Sequence, residues 1–175
     1  ETVPLILINT FLAAAFGLLT GLGISFALFK KPDPYYVILG PLAGLVAITA
    51  GCNSMTSVTA IFVGIIGAII SIFVNEILNK YEIDDVVGAV PVHLAAGIWG
   101  TLAVGLFSDL ELLDTGLTRL EQIEVQFIGV VSIGAFSFFG SYILLKILNY
   151  FYPLRVSPLH EELGLNIAEH NATSV

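Results

Sequence analysis

Residues 86–107 run for 22 positions with a single ionisable side chain, His93. That length matches the roughly 20 apolar residues a helix needs to cross the hydrocarbon core of a bilayer. Four further apolar stretches lie in the chain, at 5–29, 36–52, 57–78 and about 123–148. Backbone polar groups in lipid must be satisfied within their own segment, so each stretch is read as a helix. No alternating strand pattern competes with them. The stretch at 36–52 is short and contains Pro41, and is read as a short helix buried among the others. Composition agrees: 57% of the residues are hydrophobic and 11% charged, with mean hydropathy +0.95, against about 25% charged in soluble domains. The expected fold is an all-α membrane protein with five transmembrane helices over residues 1–150 and a polar tail at 151–175.

Basic residues set the expected orientation. Lys30, Lys31, Lys80, Lys146 and Arg155 fall at one set of helix ends, and Arg119 alone falls at the other, among Asp109, Glu111 and Asp114. The excess of basic residues marks the cytoplasmic side. The first helix then runs from outside to inside, the N-terminus of the chain lies outside, and the tail is cytoplasmic. The start at Glu1 has no initiator Met and no basic stretch before the first apolar run. It does not resemble a signal peptide; it has the abruptness of a fragment or a processed product.

Several function classes are disfavoured. A formal charge of −8 argues against a nucleic-acid partner. Cys52 is the single cysteine, so no internal disulfide is available. There is no Gly-rich phosphate loop, nucleophile elbow or metal quartet, so neither an enzyme nor a bound metal or cofactor is expected.

His93 has two readings. A lone intramembrane histidine can hydrogen-bond across helices and serve structure alone. Ionisable groups at lipid depth are also costly and mark ion or proton pathways. Imidazole both donates and accepts, with an unperturbed pKa of about 6.5, and burial favours its neutral form. On a regular helix His93 shares its face with Ala89, Val90, Ala96, Gly97 and Gly100, while Trp99 lies well round from it. Small residues let helices pack closely, and they also leave room for a narrow passage. Ala13–Ala15, Gly17, Gly21, Gly23, Gly64 and Gly67 give the other helices similar small surfaces.

Other candidates are weaker. Asp84 and Asp85 precede the His93 helix, where carboxylates cap free N–H groups and complement the dipole. Thr49 and Asn53 border the short helix and face either a pore vestibule or their own loop. Asn9 is read as an interhelical hydrogen-bonding group. The tail carries His160, Glu161, Glu162, Glu169 and His170, read as a solvated regulatory segment. Its acids would complement Lys30, Lys31 and Lys80 on the same side. The sequon Asn171–Thr173 is discounted because the tail is expected in the cytoplasm.

The motifs resemble those of the ammonium transporter (Amt/Mep/Rh) family. Its tenth helix follows D-D-P-x-x-x-x-x-V-H-G-x-x-G-x-W-G-T-L-A-x-G, and this chain has Asp84-Asp85, Val92-His93 and Gly97-Ile98-Trp99-Gly100-Thr101-Leu102-Ala103-Val104-Gly105. NTFLAAAFG from Asn9, GPLAGLVAITAGC from Gly40 and LRVSPLHEELGLNIAEH from Leu154 resemble three further family segments in the same order. The resemblance implies the last five helices, seven to eleven, of an eleven-helix fold built from inverted repeats, an arrangement shared with other transporters. It implies a trimer in the bilayer, ammonium or ammonia as substrate, and an N-terminal half carrying the first of two paired pore histidines. His93 matches the second. Family glycine and cysteine positions are Leu94 and Ala96 here, and Pro91 stands where alanine or glycine is common. Asn166 replaces a common aspartate, either as drift or as a mark of members followed by a histidine kinase or cyclase. A transporter, an ammonium sensor of the same fold and a purely structural membrane subunit all remain open at this point.

Overall fold

The computed structural model describes residues 2–168. The described residues form helices joined by turns and loops: α1 Thr2–Phe29, α2 Pro34–Ile48, α3 Ser57–Lys80, a wider π turn at Val90–Ala95 leading into α4 Ala96–Phe107, α5 Leu110–Leu113, α6 Arg119–Phe151, α7 Pro158–Leu163 and α8 Leu165–Ala168. Among the described residues four stretches are long and apolar enough to cross a membrane, Val3–Phe29, Ser57–Lys80, Val90–Phe107 and Arg119–Phe151. The helix α2 has 15 residues. At a rise of 1.5 Å per residue it extends only about 22 Å.

Local chemistry sets the boundaries. Lys30, at φ 60°, breaks α1, and Asp33 caps α2 by accepting from the Tyr35 N–H at 2.9 Å, with Pro34 as the first helical residue. Pro is tolerated there because its missing N–H would have no helical partner. Thr56 caps α3 in the same manner.

The chain divides into two compact units, Glu1–Val131 and Ser132–Val175. The first is a bundle in which α1, α2 and α3 pack on one another and α4 packs on α2 and α3. Its core is built of small side chains: Ala13, Ala43, Ala47, Ala60 and Ala96 are fully buried, with Ile48 and Val63. Backbones touch where a side chain would not fit. A Cβ on Gly17 would lie 2.5 Å from the Gly40 carbonyl oxygen, and one on Gly100 would collide with the Ala47 carbonyl. Close approach through small residues is how helices associate where lipid offers no competing hydrophobic drive. Large apolar residues point outward instead, among them Leu7, Phe11, Phe62 and Phe73.

The second unit holds the end of α6 and the short helices α7 and α8. At 33 residues α6 is the longest helix, about 50 Å at 1.5 Å per residue. Gln122 is its only buried residue, and Phe136, Phe138 and Phe139 are all exposed. A helix apolar on every side has no preferred core face.

Candidate functional site

The His93 segment starts on a capped turn. The Asp85 carboxylate accepts from the Ala89 N–H at 2.9 Å and from the Val90 N–H at 2.7 Å. These are two of the free donors that every helix start leaves unpaired. Asp84 makes neither bond; it lines a polar cleft of about 350 Å³ with Asp33, Tyr35, Asn75, Asn79 and Asp85. Gly88, in the turn between Asp85 and Ala89, is at φ +68°, where a Cβ would fall 2.7 Å from Leu39 and 2.9 Å from the Tyr35 hydroxyl. Only glycine meets both demands at low cost.

From Val90 to Ala95 the turn is wider than α, and the Ala96 N–H donates to the Pro91 carbonyl five residues back. Pro91, which has no N–H to give, and Val92 are buried, while His93 and Leu94 are exposed on this chain. The wide turn corrects the helical-wheel reading. Ala89 and Val90 are exposed like His93 and Gly97 is half-buried, but Ala96 and Gly100 are buried, Gly100 against the α2 backbone at Ala47. An extra residue in one turn rotates everything beyond it, so the 3.6-residue period cannot be carried from Ala89 to Gly100. Trp99 faces α3, where its indole N–H donates to the Val63 carbonyl at 3.1 Å.

The opposite end of the bundle holds Thr49 and Asn53, both exposed. The Thr49 hydroxyl donates back to the Leu45 carbonyl at 2.7 Å. Below them Asn9, fully buried, bonds to a turn and not to a helix: its amide N–H groups donate to the Cys52 and Met55 carbonyls at 2.9 and 2.8 Å.

Comparison with known proteins then gives an answer. The Ammonium Transporter Family model matches residues 1–175. The chain belongs to the ammonium transporter family. It is 42% identical over 172 residues to a protein described as an ammonium transporter in Synechocystis sp., covering 98% of this chain and 32% of that one. It is 38% identical over 182 residues to the ammonium transporter Amt2 of Archaeoglobus fulgidus, covering 98% and 39%. Among solved structures it superposes on a Sensor Amt Protein with TM-score 0.87 and 34% identity, over 97% of this chain and 42% of that one. For Candida albicans Mep2 the TM-score is 0.79, with 25% identity over 88% and 36%. The chain thus spans about a third to two fifths of the length of these relatives. It has the all-α, multi-pass membrane fold of a transporter family, not of a family of catalysts.

Within the tail of this family member one ion pair forms among the described residues. Arg155 Nε and Nη2 donate to the two Glu161 oxygens at 2.6 and 3.0 Å, with Arg155 largely exposed. The hydrogen bond from Arg155 holds the Glu161 carboxyl below its usual range. Glu162 and His160 are exposed. The Asn166 side chain, Glu169, His170 and the Asn171–Thr173 sequon lie outside the described residues.

Sequence reasoning misses several groups. Glu76 accepts from the Tyr36 hydroxyl and from the side-chain amides of Asn75 and Asn79, the latter two at 3.2 and 3.4 Å. Ser54 and Ser108, nearly and fully buried, bond to each other at 2.9 Å. Arg119 reads in sequence only as a charge, yet its guanidinium donates to the Ser108 carbonyl at 2.7 Å and the Gly105 carbonyl at 3.2 Å. No local motif flags the Tyr36–Glu76 and Ser54–Ser108 bonds or those of Arg119, whose partners lie 11 to 54 residues away in sequence.

Proposed function

We propose that this chain is the second half, helices seven to eleven, of an ammonium-sensing member of the family, and that His93 is the ammonium-handling group of an apolar passage. The observation that carries the sensing reading is the likeness to the Sensor Amt Protein, at TM-score 0.87 and 34% identity over nearly the whole chain. Higher identity to the Synechocystis ammonium transporter supports the second reading, transport itself. In both readings α2 serves as a fifth, short membrane helix within the bundle. Residues 1–150 form the membrane part and 151–175 a regulatory tail on the cytoplasmic side, where Lys30, Lys31, Lys80 and Arg155 also lie.

The chemistry of His93 suits the role. A neutral imidazole accepts one proton and donates another, so a bound ammonium can be held or relieved of a proton without a permanent charge in the lumen. The His93 side of the segment is open on this chain. In the assembled protein it faces the paired histidine of the N-terminal half, and Thr49 and Asn53 border the outer vestibule. Asp85 fixes the start of the segment, and Asp84 lies beside it. Three such subunits form the trimer expected of the family, in the cell membrane.

The test uses the full-length protein in proteoliposomes. Ammonium-dependent current and ammonium binding are measured for the parent and for His93→Ala. Binding without current supports the sensor; current supports the transporter. A folded His93→Ala variant that matches the parent in both assays removes the histidine from either mechanism.

A further inference from the structure

One end of the bundle is closed by a polar clamp that joins four segments far apart in sequence. Asn9 of α1 holds the turn between α2 and α3 through the Cys52 and Met55 carbonyls. In the same turn Ser54 donates from its hydroxyl to Ser108 at the end of α4, at 2.9 Å, and accepts at its carbonyl from the Asp109 N–H at 2.7 Å. Arg119, the first residue of α6, closes the far side on the Ser108 and Gly105 carbonyls. There α6 approaches α4 so closely that a Cβ on Gly105 would lie 2.8 Å from the Ile123 Cα.

The partner choice of Arg119 is informative. Asp109, Glu111, Asp114, Glu121 and Glu124 all lie nearby in sequence, yet its guanidinium donates to two backbone carbonyls at the end of α4. A cation at a helix C-terminus satisfies carbonyls that lack a helical donor and complements the dipole. The Ser54–Ser108 bond is the other costly element. Two hydroxyls buried in an apolar bundle are tolerated because they bond to each other, with the Gly51 carbonyl also 3.5 Å from the Ser54 hydroxyl, and loss of Ser54 removes the side-chain partner of Ser108.

We propose that Ser54, Ser108 and Arg119 are positioning residues that hold the α2–α3 turn, with Thr49 and Asn53, in register with the end of α4, so that the turn discriminates among small N–H-bearing cations at the mouth of the passage. The inference rests on the reading above that this turn borders the passage. Discrimination between ammonium and a cation one methyl larger requires the surrounding groups to be fixed to within about 0.5 Å. The clamp supplies that rigidity through bonds that are not themselves offered to the ligand. Thr49 and Asn53 are the exposed groups on the turn it fixes.

The experiment compares ammonium chloride with methylammonium chloride on the full-length protein. Half-saturation is read as current in proteoliposomes, or as heat of binding where no current passes. Ser54→Ala and Ser108→Ala should each change the methylammonium-to-ammonium ratio of half-saturation by about fivefold, the scale of one lost hydrogen bond, with the maximal response unchanged. The double variant should do no more than either single, since both remove the same bond. Ser54→Thr, which keeps the hydroxyl, should restore the parent ratio. Arg119→Lys, which keeps the charge but not the planar fork, should shift the ratio in the same direction and covers the case in which an alanine variant fails to fold. Folded single variants with the parent ratio, or a double variant whose effect is the sum of the singles, overturn the inference. Thr49→Val and Asn53→Ala separate the two levels. If they alter the ratio and the serine variants do not, only the positioning claim fails. If they too leave it unchanged, the vestibule reading fails first.

Discussion

Asp85 carries the start of the His93 segment on two hydrogen bonds, to the Ala89 and Val90 N–H groups. Replacing it with alanine should lower stability by about 1–2 kcal/mol, the range for a lost N-cap, while Asp85→Asn should recover much of the loss. Thermal unfolding in detergent reads both. Asp84→Ala should change little, because it makes neither bond. In the tail, Glu161 is held below its usual range by the Arg155 hydrogen bond. A depressed carboxyl contributes order that is fully present above its unfolded pKa, about 4.3, and is lost as pH falls through the folded value. Amide exchange across α7, taken relative to the intrinsic rate at each pH, should therefore be constant from neutral pH down to about pH 5 and rise below pH 4. In Glu161→Gln that acid-dependent rise should vanish.

At the scale of elements, glycines that look alike in sequence do opposite things. A Cβ on Gly100 would run into the Ala47 backbone, whereas one on Gly129 in α6 would meet open space. Gly100→Ala should cost about 1–3 kcal/mol through overpacking. Gly129→Ala should gain up to about 1 kcal/mol, because alanine is the better helix former where nothing opposes it. Paired unfolding curves decide this, and equal effects at the two sites would contradict the packing described. The π turn at Val90–Ala95 belongs to the same scale. Pro91 announces some irregularity, since it cannot donate to the helix. It does not announce that Ala96 and Gly100 turn inward while His93 stays exposed, because the outcome depends on how α4 docks against α2.

For the whole molecule, the sensing proposal makes one demand. A ligand shifts an equilibrium only through its different affinity for the two states. Saturating ammonium should therefore alter hydrogen-exchange protection in residues 152–168 of the full-length protein, and identical exchange with and without ammonium would favour plain transport. The apolar stretches and the family motifs around His93 were legible because they are local: hydrocarbon thickness and turn chemistry act on contiguous residues. The caps on α2 and α3 follow from the same local rules. What lay beyond the sequence is long-range pairing. Asn9 clasps a turn 43 and 46 residues away, Ser54 meets Ser108 across 54, and Trp99 reaches Val63 across 36. A buried polar group must find a partner, but its sequence neighbours do not say which one; only the packed helices bring donor and acceptor within about 3 Å.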